Sequence, residues 1–197
     1  KNAHNQLQYL CSNNIKNLEG RTTYTQMLNP SGGIEADVTV SCLKKNYFRI
    51  ICPAVARSHN KSHILKNLTK KINFKDVTDK YSCIGLFGPN SRIFLSSLFG
   101  NYFSNEDFPF SRGKYLDISK NKIWFQRLSF IGELGWEIYI PINKTKMIFN
   151  KIKKLGKKYN LSYSGMHALD ILRMEKKFLH WGHDITSENN PFESGLS

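Results

Sequence analysis

The architecture of this 197-residue chain is predicted from one stretch, Gly165-Met-His-Ala-Leu-Asp-Ile-Leu-Arg-Met-Glu-Lys-Lys-Phe-Leu-His-Trp-Gly-His-Asp-Ile185, followed by Asn190-Pro-Phe-Glu-Ser-Gly-Leu196. Ser164 is a residue type that caps helices, and Gly182 is one that ends them. The residues that recur at the i, i+3, i+4, i+7 spacing of one helix face are Ala168, Ile171, Leu172, Glu175 and Phe178. The pattern therefore predicts an amphipathic helix between Ser164 and Gly182.

Arg173 lies off that apolar stripe, midway along the predicted helix. An arginine held on a packed helix presents a rigid planar fork that suits a carboxylate. The alternative is a solvated or salt-bridged arginine without a ligand. The residues alone leave both interpretations open.

The composition is that of a folded globular chain. Hydrophobic residues make up 40% and aromatic residues 13% of the sequence, which excludes disorder as the overall description. A chain of this length buries about 70% of its unfolded surface, so we expect a sizeable core. No run reaches the roughly 20 apolar residues that a membrane-spanning helix needs, and we expect no membrane partner.

The net charge of +14 raises the question of nucleic-acid binding, because clustered Lys and Arg are typical of phosphate recognition. Residues 142–160 contain seven lysines and no acid. The same segment carries an apolar stripe at helical spacing, formed by Met147, Ile148, Ile152, Leu155 and Tyr159. This pattern predicts a docked helix with a basic outer face, and we do not expect a nucleic-acid partner.

Cysteines and histidines indicate no metal site. The four cysteines include no Cys-x-x-Cys pair, and three lie in apolar runs, where a reduced thiol behaves as a small core residue. The six histidines show no convincing zinc spacing. The dinucleotide-binding pattern Gly-x-Gly-x-x-Gly is also missing from the chain.

Strand and helix patterns alternate along the rest of the chain. The predicted helices end at about Cys11 and span Ala54–Lys71, Ser91–Phe99 and a segment within 142–160. The predicted strands are Thr22–Leu28, Ile34–Ser41, Tyr47–Cys52, Tyr81–Phe87, Lys114–Ser119, Lys122–Phe130 and Trp136–Ile140. In the second strand, Ile34, Ala36, Val38 and Val40 face one side, so the hairpin is expected to have one wet face carrying Asp37.

Three motifs in this order resemble one family. They are Tyr24-Thr-Gln-Met-Leu-Asn-x-x-Gly-Gly-Ile-Glu-x-Asp-x-Thr-Val40, Phe130-Ile-Gly-Glu-Leu-Gly-Trp-Glu137, and Ala168-Leu-Asp-x-Leu-Arg-x-Glu-Lys with His180-Trp-Gly-His-Asp-Ile and Asn190-Pro-x-Glu-x-Gly-Leu. Together they are similar to the folate-binding domain of the dimethylglycine and sarcosine dehydrogenases, which are relatives of the glycine-cleavage T-protein, an aminomethyltransferase. The likeness extends from Tyr9 to Leu196.

The resemblance implies an α+β fold of the aminomethyltransferase type. Residues 1–197 would form one folate-binding domain, truncated at both ends, with a flavin domain and a C-terminal barrel not included. By resemblance, the flavin part oxidises dimethylglycine or sarcosine, and this part holds tetrahydrofolate, which captures the one-carbon unit as methylene-tetrahydrofolate. FAD would then bind outside this segment, and the partners are a folate, an N-methylated glycine-type substrate and the protein's own flavin domain.

The resemblance also implies site residues. Asp37 would act at the folate nitrogen, since a nearby carboxylate can accept a proton or stabilise an iminium cation. Glu133 would hold the pterin through paired hydrogen bonds, although Phe130 and Ile131 replace the Tyr and Thr of the family motif. Arg173 would pair with an anionic group, the glutamyl carboxylate of folate.

Two other readings of the resemblance stay open. One is a stand-alone aminomethyltransferase or a folate-dependent demethylase. The other is a non-catalytic relative similar to the regulatory subunit of pyruvate dehydrogenase phosphatase, which would act through protein contacts. The expected location is intracellular, in a bacterial cytoplasm or a mitochondrial matrix.

Overall fold

The computed structural model describes residues 2–69 and 72–196. The chain divides into two compact units, the first formed by Lys1–Asp76 with Leu179–Ser197 and the second by Val77–Phe178. The last eighteen or so residues therefore belong with the N-terminal unit, and each unit is described separately below.

The first unit is a three-stranded antiparallel sheet with two helices. The strands follow the order β1-β2-β3 and are β1 (Thr22–Leu28), β2 (Ile34–Lys44) and β3 (Tyr47–Ile51). The helices are α1 (Ala3–Leu10) and α2 (Arg57–Asn67). The helix predicted over 54–71 is a 3-10 turn at Ala54–Ala56 followed by α2, and Lys70 and Lys71 lie outside the described residues.

Alternation along β2 builds the core of this unit, as the sequence predicts. Its inward-facing side chains are almost completely buried: Ile34, Ala36, Val38 and Val40. Ala36, Val38 and Val40 belong to one apolar cluster with Leu7 and Leu10 of α1 and Ile64 of α2. Each fully buried aliphatic side chain contributes about 1.5–3 kcal/mol relative to exposure, so this face fixes the register of β2.

The segment 179–196 docks onto the turn between β1 and β2. The Ile34 amide donates to the Asn189 carbonyl at 2.8 Å, and the Asn29 side-chain amide donates to the Ser187 carbonyl at 3.2 Å. Gly33 packs directly against that Ser187 carbonyl, leaving no room for a Cβ. Glycine at this position therefore permits the close approach of two backbones.

The second unit contains a four-stranded antiparallel sheet in the order β4-β7-β6-β5. Its strands are β4 (Tyr81–Phe87), β5 (Gly113–Ile118), β6 (Asn121–Gln126) and β7 (Gly135–Pro141). Its helices are α3 (Ser91–Phe99), α4 (Thr145–Gly156) and α5 (Met166–Glu175). Ser119 and Lys120, both with positive φ, form the two-residue turn between β5 and β6.

Aromatic side chains fill the core of the second unit. Phe103 packs edge-on against both Phe125 and Trp136, with ring centroids 5.5 Å apart in each case. Such edge-to-face pairs add about 0.5–1.5 kcal/mol beyond their buried area. Ile148 and Ile152 of α4 join the same cluster, and this confirms the prediction of a docked helix within residues 142–160.

Helix α5 is shorter than the sequence predicts. It ends at Glu175, and Lys177 adopts a left-handed conformation with φ of 57°. The Phe178 amide donates to the Arg173 carbonyl and the Lys177 amide to the Met174 carbonyl, which is the Schellman pattern of helix termination. The prediction that the helix continues to Gly182 is wrong, because a lysine occupies the left-handed position that usually identifies a glycine stop.

We predict that Gly33→Ala releases segment 179–196 from the first unit. The added methyl group collides with the Ser187 carbonyl, and overpacking of this kind costs roughly 1–3 kcal/mol. Hydrogen–deuterium exchange should show faster exchange at the Ile34 amide, which donates to Asn189. Ser31→Ala, at an exposed position of the same turn, is the control and should leave exchange unchanged; equal protection in both variants would contradict the assignment.

Candidate functional site

Asp37 lies on the outer face of β2, opposite Gln26 of β1 in the strand register. The Gln26 side-chain amide donates to the Asp37 carboxylate at 2.9 Å, and the Tyr24 hydroxyl also bonds to it. Burial raises the pKa of Asp37; the bonds from Gln26 and Tyr24 and the nearby His180 act in the opposite direction but do not cancel the effect of burial. Neutral donors thus hold the Asp37 carboxylate, and its raised pKa makes it a stronger base than an ordinary aspartate.

The face of β2 that carries Asp37 is less exposed to solvent than the alternating pattern predicts. Trp181 donates its indole N–H to the Ile34 carbonyl at 2.7 Å, and its ring lies 5.1 Å from that of His59. His59 in turn contacts the Glu35 carboxylate at 3.0 Å. Segment 179–196 thus covers part of the strand face, which explains why Asp37 is partly buried while remaining on the polar side of β2.

Glu133 occupies the exposed turn that leads into β7. Gly132 has a positive φ of 72°, and Gly135 abuts Phe87 and the Leu86 carbonyl of β4. The glycines around Glu133 therefore serve the tight turn and the strand pairing. The described residues offer the Glu133 side chain no hydrogen-bond donor, and its pterin-binding role stays a prediction.

Glu137, four residues later, is the carboxylate that sequence reasoning missed. It lies on β7 opposite Gln126 of β6. The Gln126 side-chain amide donates to its Oε2 at 3.4 Å, and the Tyr139 hydroxyl donates a short hydrogen bond to the same oxygen. Burial raises the pKa of Glu137, and the Tyr139 hydroxyl opposes this rise in part.

A sequence signal for Glu137 was available. Trp136, Ile138 and Ile140 alternate into the core, so Glu137 and Tyr139 had to share the opposite face of β7. Two polar side chains on one strand face, at the end of a turn motif, indicate a paired site. The resemblance instead implies the pterin role for Glu133, the exposed acid inside the turn.

Arg173 is the buried residue of α5, with only 2% of its surface exposed. Its Nε donates to Asp170 at 3.2 Å and its Nη1 to the Phe178 carbonyl at 3.0 Å. By contrast, Ile171, which the sequence places on the apolar stripe, is 56% exposed. The predicted inward face of this helix is therefore wrong, and a paired guanidinium takes the buried position.

The predicted site residues fall in both units. Asp37 belongs to the first unit, whereas Glu133 and Arg173 belong to the second. Across residues 2–69 and 72–196, no three His, Cys, Asp or Glu side chains are grouped so as to hold a metal ion. Within the same ranges, the helices are all too short or too polar to cross a bilayer.

Comparison with known families identifies the chain. The model of the GCVT N-terminal domain matches residues 1–197. The chain belongs to this family. It is homologous to the corresponding region of the sarcosine and dimethylglycine dehydrogenases, as its motifs predict.

Several curated relatives match along nearly the whole chain. Human mitochondrial sarcosine dehydrogenase is 34% identical over 206 residues, which cover 96% of this chain and 22% of that protein. Rat mitochondrial dimethylglycine dehydrogenase is 31% identical over 193 residues, with the same coverage. The mouse mitochondrial regulatory subunit of pyruvate dehydrogenase phosphatase is 34% identical over 192 residues. The chain thus spans about a fifth of the length of these relatives.

Solved structures confirm the predicted α+β fold. Aminomethyltransferase T of the glycine cleavage system from Bartonella henselae superposes with a TM-score of 0.81 at 21% identity, over 100% of this chain and 52% of that chain. Heterotetrameric sarcosine oxidase from Corynebacterium sp. U-96 gives a TM-score of 0.61 at 13% identity, over 84% of this chain and 78% of that chain. The GCVT N-terminal domain therefore has the aminomethyltransferase-type architecture here.

We predict that Asp37→Asn stabilises the chain at neutral and higher pH. A raised pKa means that the folded state binds the proton more tightly than the unfolded state, so the contribution of Asp37 to stability is present near pH 3.8 and lost as the pH rises through the raised pKa. Asparagine keeps the acceptor for Gln26 and removes the buried charge.

Urea unfolding between pH 4 and pH 8.5 measures this effect. The difference in unfolding free energy between Asp37→Asn and the wild type should grow with pH. Glu188→Gln, at an exposed acid of the same unit, should change stability by less than about 0.5 kcal/mol. A variant that is less stable than the wild type at pH 8.5 would show that Asp37 is held as a favourable charge.

Proposed function

We propose that this chain is the tetrahydrofolate-binding, one-carbon-accepting domain of an FAD-dependent demethylating enzyme that acts on dimethylglycine, sarcosine or a similar N-methylated amine. The relatives named sarcosine and dimethylglycine dehydrogenase support the reaction class. The single structural observation that carries the proposal is the partly buried Asp37, held by Gln26 and Tyr24 on a rigid strand pair.

Asp37 has the properties of a general base for carbon transfer to nitrogen. Tetrahydrofolate would supply the nitrogen that accepts the one-carbon unit, and Asp37 would take up the proton that this nitrogen loses. A carboxylate with a raised pKa accepts such a proton more readily at neutral pH than an ordinary aspartate does. Gln26 and Tyr24 hold the acceptor in place, so its orientation is set before the ligand arrives.

A second carboxylate is required to recognise the aminopyrimidinone edge of the pterin. That edge presents N–H groups that a carboxylate oxygen can accept, and each charge-assisted bond contributes about 1.5–3 kcal/mol. Glu137 is partly buried and oriented by two donors, whereas Glu133 is exposed. We therefore propose Glu137 for this role and keep Glu133 as the alternative from the motif.

Arg173 is assigned to an anionic group of the folate, as the resemblance implies. Its bonds to Asp170 and to the Phe178 carbonyl hold the guanidinium rigidly in the structure. A guanidinium has five N–H donors, so a guanidinium held in this way can also donate hydrogen bonds to an anion. The basic surface of α4, with Lys153 and Lys154 in its last turn, would attract a polyglutamylated folate electrostatically.

FAD is proposed to bind in a part of the enzyme outside this segment. The chain contains no Gly-x-Gly-x-x-Gly turn to receive a dinucleotide. The human and rat relatives carry "mitochondrial" in their names, and another relative is an oxidase from the bacterium Paenarthrobacter nicotinovorans. They support an intracellular location, in a mitochondrial matrix or a bacterial cytoplasm.

We predict that Glu137→Gln weakens tetrahydrofolate binding more than Glu133→Gln. Loss of one charge-assisted pair of hydrogen bonds should raise the Kd by at least about ten-fold. Asp37→Ala and Arg173→Lys should also weaken binding, and Asp37→Ala should lower one-carbon transfer further. Anaerobic isothermal titration calorimetry of the four variants measures these effects, with circular dichroism to verify the fold.

The two glutamates control for each other, because they carry the same substitution and lie four residues apart. A loss confined to Glu133→Gln would restore the motif assignment and reject Glu137. Unchanged affinity in all four variants would reject the folate site.

A second candidate function is supported by the 34% identity to the phosphatase regulatory subunit. In that case the chain would act through protein contacts and bind a phosphatase catalytic chain without one-carbon turnover. Retention of both Asp37 and Glu137 as partly buried carboxylates favours folate chemistry, because burying a carboxylate has a cost that protein contacts do not require. Tetrahydrofolate binding to the wild-type chain separates the two functions.

A further inference from the structure

Tyr139 is buried beside the Glu137 carboxylate. Only 7% of the residue is exposed to solvent. Its hydroxyl donates to Glu137 Oε2, two residues earlier on the same face of β7. Tyr139 is therefore placed to act on a ligand through Glu137.

The two protein donors leave one carboxylate oxygen for another donor. Gln126 and Tyr139 both donate to Oε2 of Glu137, and within residues 2–69 and 72–196 no hydrogen bond reaches Oε1. Gln126 is itself fixed, because its Oε1 accepts the Trp124 indole N–H at 3.3 Å. The side chain of Glu137 is thus anchored at one oxygen and open at the other.

All the donors around Glu137 are neutral. Gln126 and Trp124 lie on β6, Tyr139 on β7, and the remaining titratable group near Tyr139 is the Cys83 thiol, which lies opposite it on β4. Burial raises the pKa of Glu137, and the Tyr139 hydroxyl is the group that opposes it. Since an ionised carboxylate accepts an N–H bond more strongly than a protonated carboxyl does, this hydroxyl increases the amount of the better acceptor form at a given pH.

We infer that Tyr139 is a positioning residue that, with Gln126, anchors Oε2 of Glu137 and turns the carboxylate so that Oε1 is available to an N–H donor of the ligand. The ligand class follows from the chemistry: a neutral heterocycle that presents an N–H donor to Oε1, such as an aminopyrimidinone. This inference rests on the proposed function for the identity of that ligand as tetrahydrofolate, while the effect of Tyr139 on Glu137 can be measured without a ligand.

The test compares Tyr139→Phe with the wild type in two measurements. The first is the carboxyl titration of Glu137 by carbon-13 NMR in the ligand-free chain. The second is the Kd for tetrahydrofolate between pH 5.5 and pH 9 under anaerobic conditions. The ligand's own titration is common to both proteins, so the ratio of their Kd values isolates the effect of the protein.

Removal of the Tyr139 hydroxyl should move the midpoint of the Glu137 carboxyl titration to higher pH. It should also weaken tetrahydrofolate binding by different factors at different pH values. We expect the affinity loss to be larger at the acid end of this range than at pH 9, because a higher midpoint leaves less ionised carboxylate at the lower pH values. Tyr159→Phe is the matched control: it removes the hydroxyl that bonds to Ser97 in the same unit and should leave the Glu137 midpoint unmoved.

The outcomes separate this inference from the proposed function. An unmoved Glu137 midpoint in Tyr139→Phe, or a loss of affinity that is equal at every pH, overturns the positioning role even if the chain binds folate. A moved midpoint together with a pH-dependent loss of affinity supports it. A wild-type chain that binds no tetrahydrofolate at any pH overturns the proposed function, and the ligand link of Tyr139 with it.

Discussion

The candidate site residues in both units depend on the same cross-strand interaction, a glutamine that faces a carboxylate on the neighbouring antiparallel strand. Gln26 faces Asp37 in the first unit, and Gln126 faces Glu137 in the second. Each pair is completed by a tyrosine hydroxyl. A buried carboxylate is costly, and the donors around each of these acids reduce that cost without cancelling it. Each unit therefore carries a carboxylate that the fold tolerates but does not need.

Strand register makes these pairs possible. Successive side chains on a strand point to opposite faces, and a slip of one residue would turn each acid toward the apolar core. Val38 on one side of Asp37 and Ile138 on one side of Glu137 are both almost fully buried. Burial of these neighbours fixes the register, so the apolar pattern and the polar site are specified together. Loss of stability at the carboxylates is the expected trade-off for a site that binds or reacts.

Local patterns in the sequence predict most of the elements and part of the site. The alternation of β2 places Asp37 on a strand face opposite the core, as found. The pattern could not show that residues 179–196 return to cover that face, because the contact between Trp181 and Ile34 joins residues 147 positions apart. The residue types likewise did not reveal the end of α5, where Lys177 adopts a conformation more usual for glycine. Arg173, which donates to Asp170 and to the Phe178 carbonyl, is buried where the sequence predicts Ile171, so the buried side of that helix differs from the predicted one.

Proton release on ligand binding is the most direct measurement of whether these carboxylates form the folate site. Titration calorimetry with tetrahydrofolate at several pH values between 4.5 and 8, in two buffers of different ionisation enthalpy at each pH, counts the protons exchanged. Carboxyls with raised pKa values that must ionise to accept N–H groups or a reaction proton should release protons to the buffer when the ligand binds. Binding with the same observed heat in both buffers would contradict the account, because it would mean that neither Asp37 nor Glu137 changes its charge on meeting the ligand.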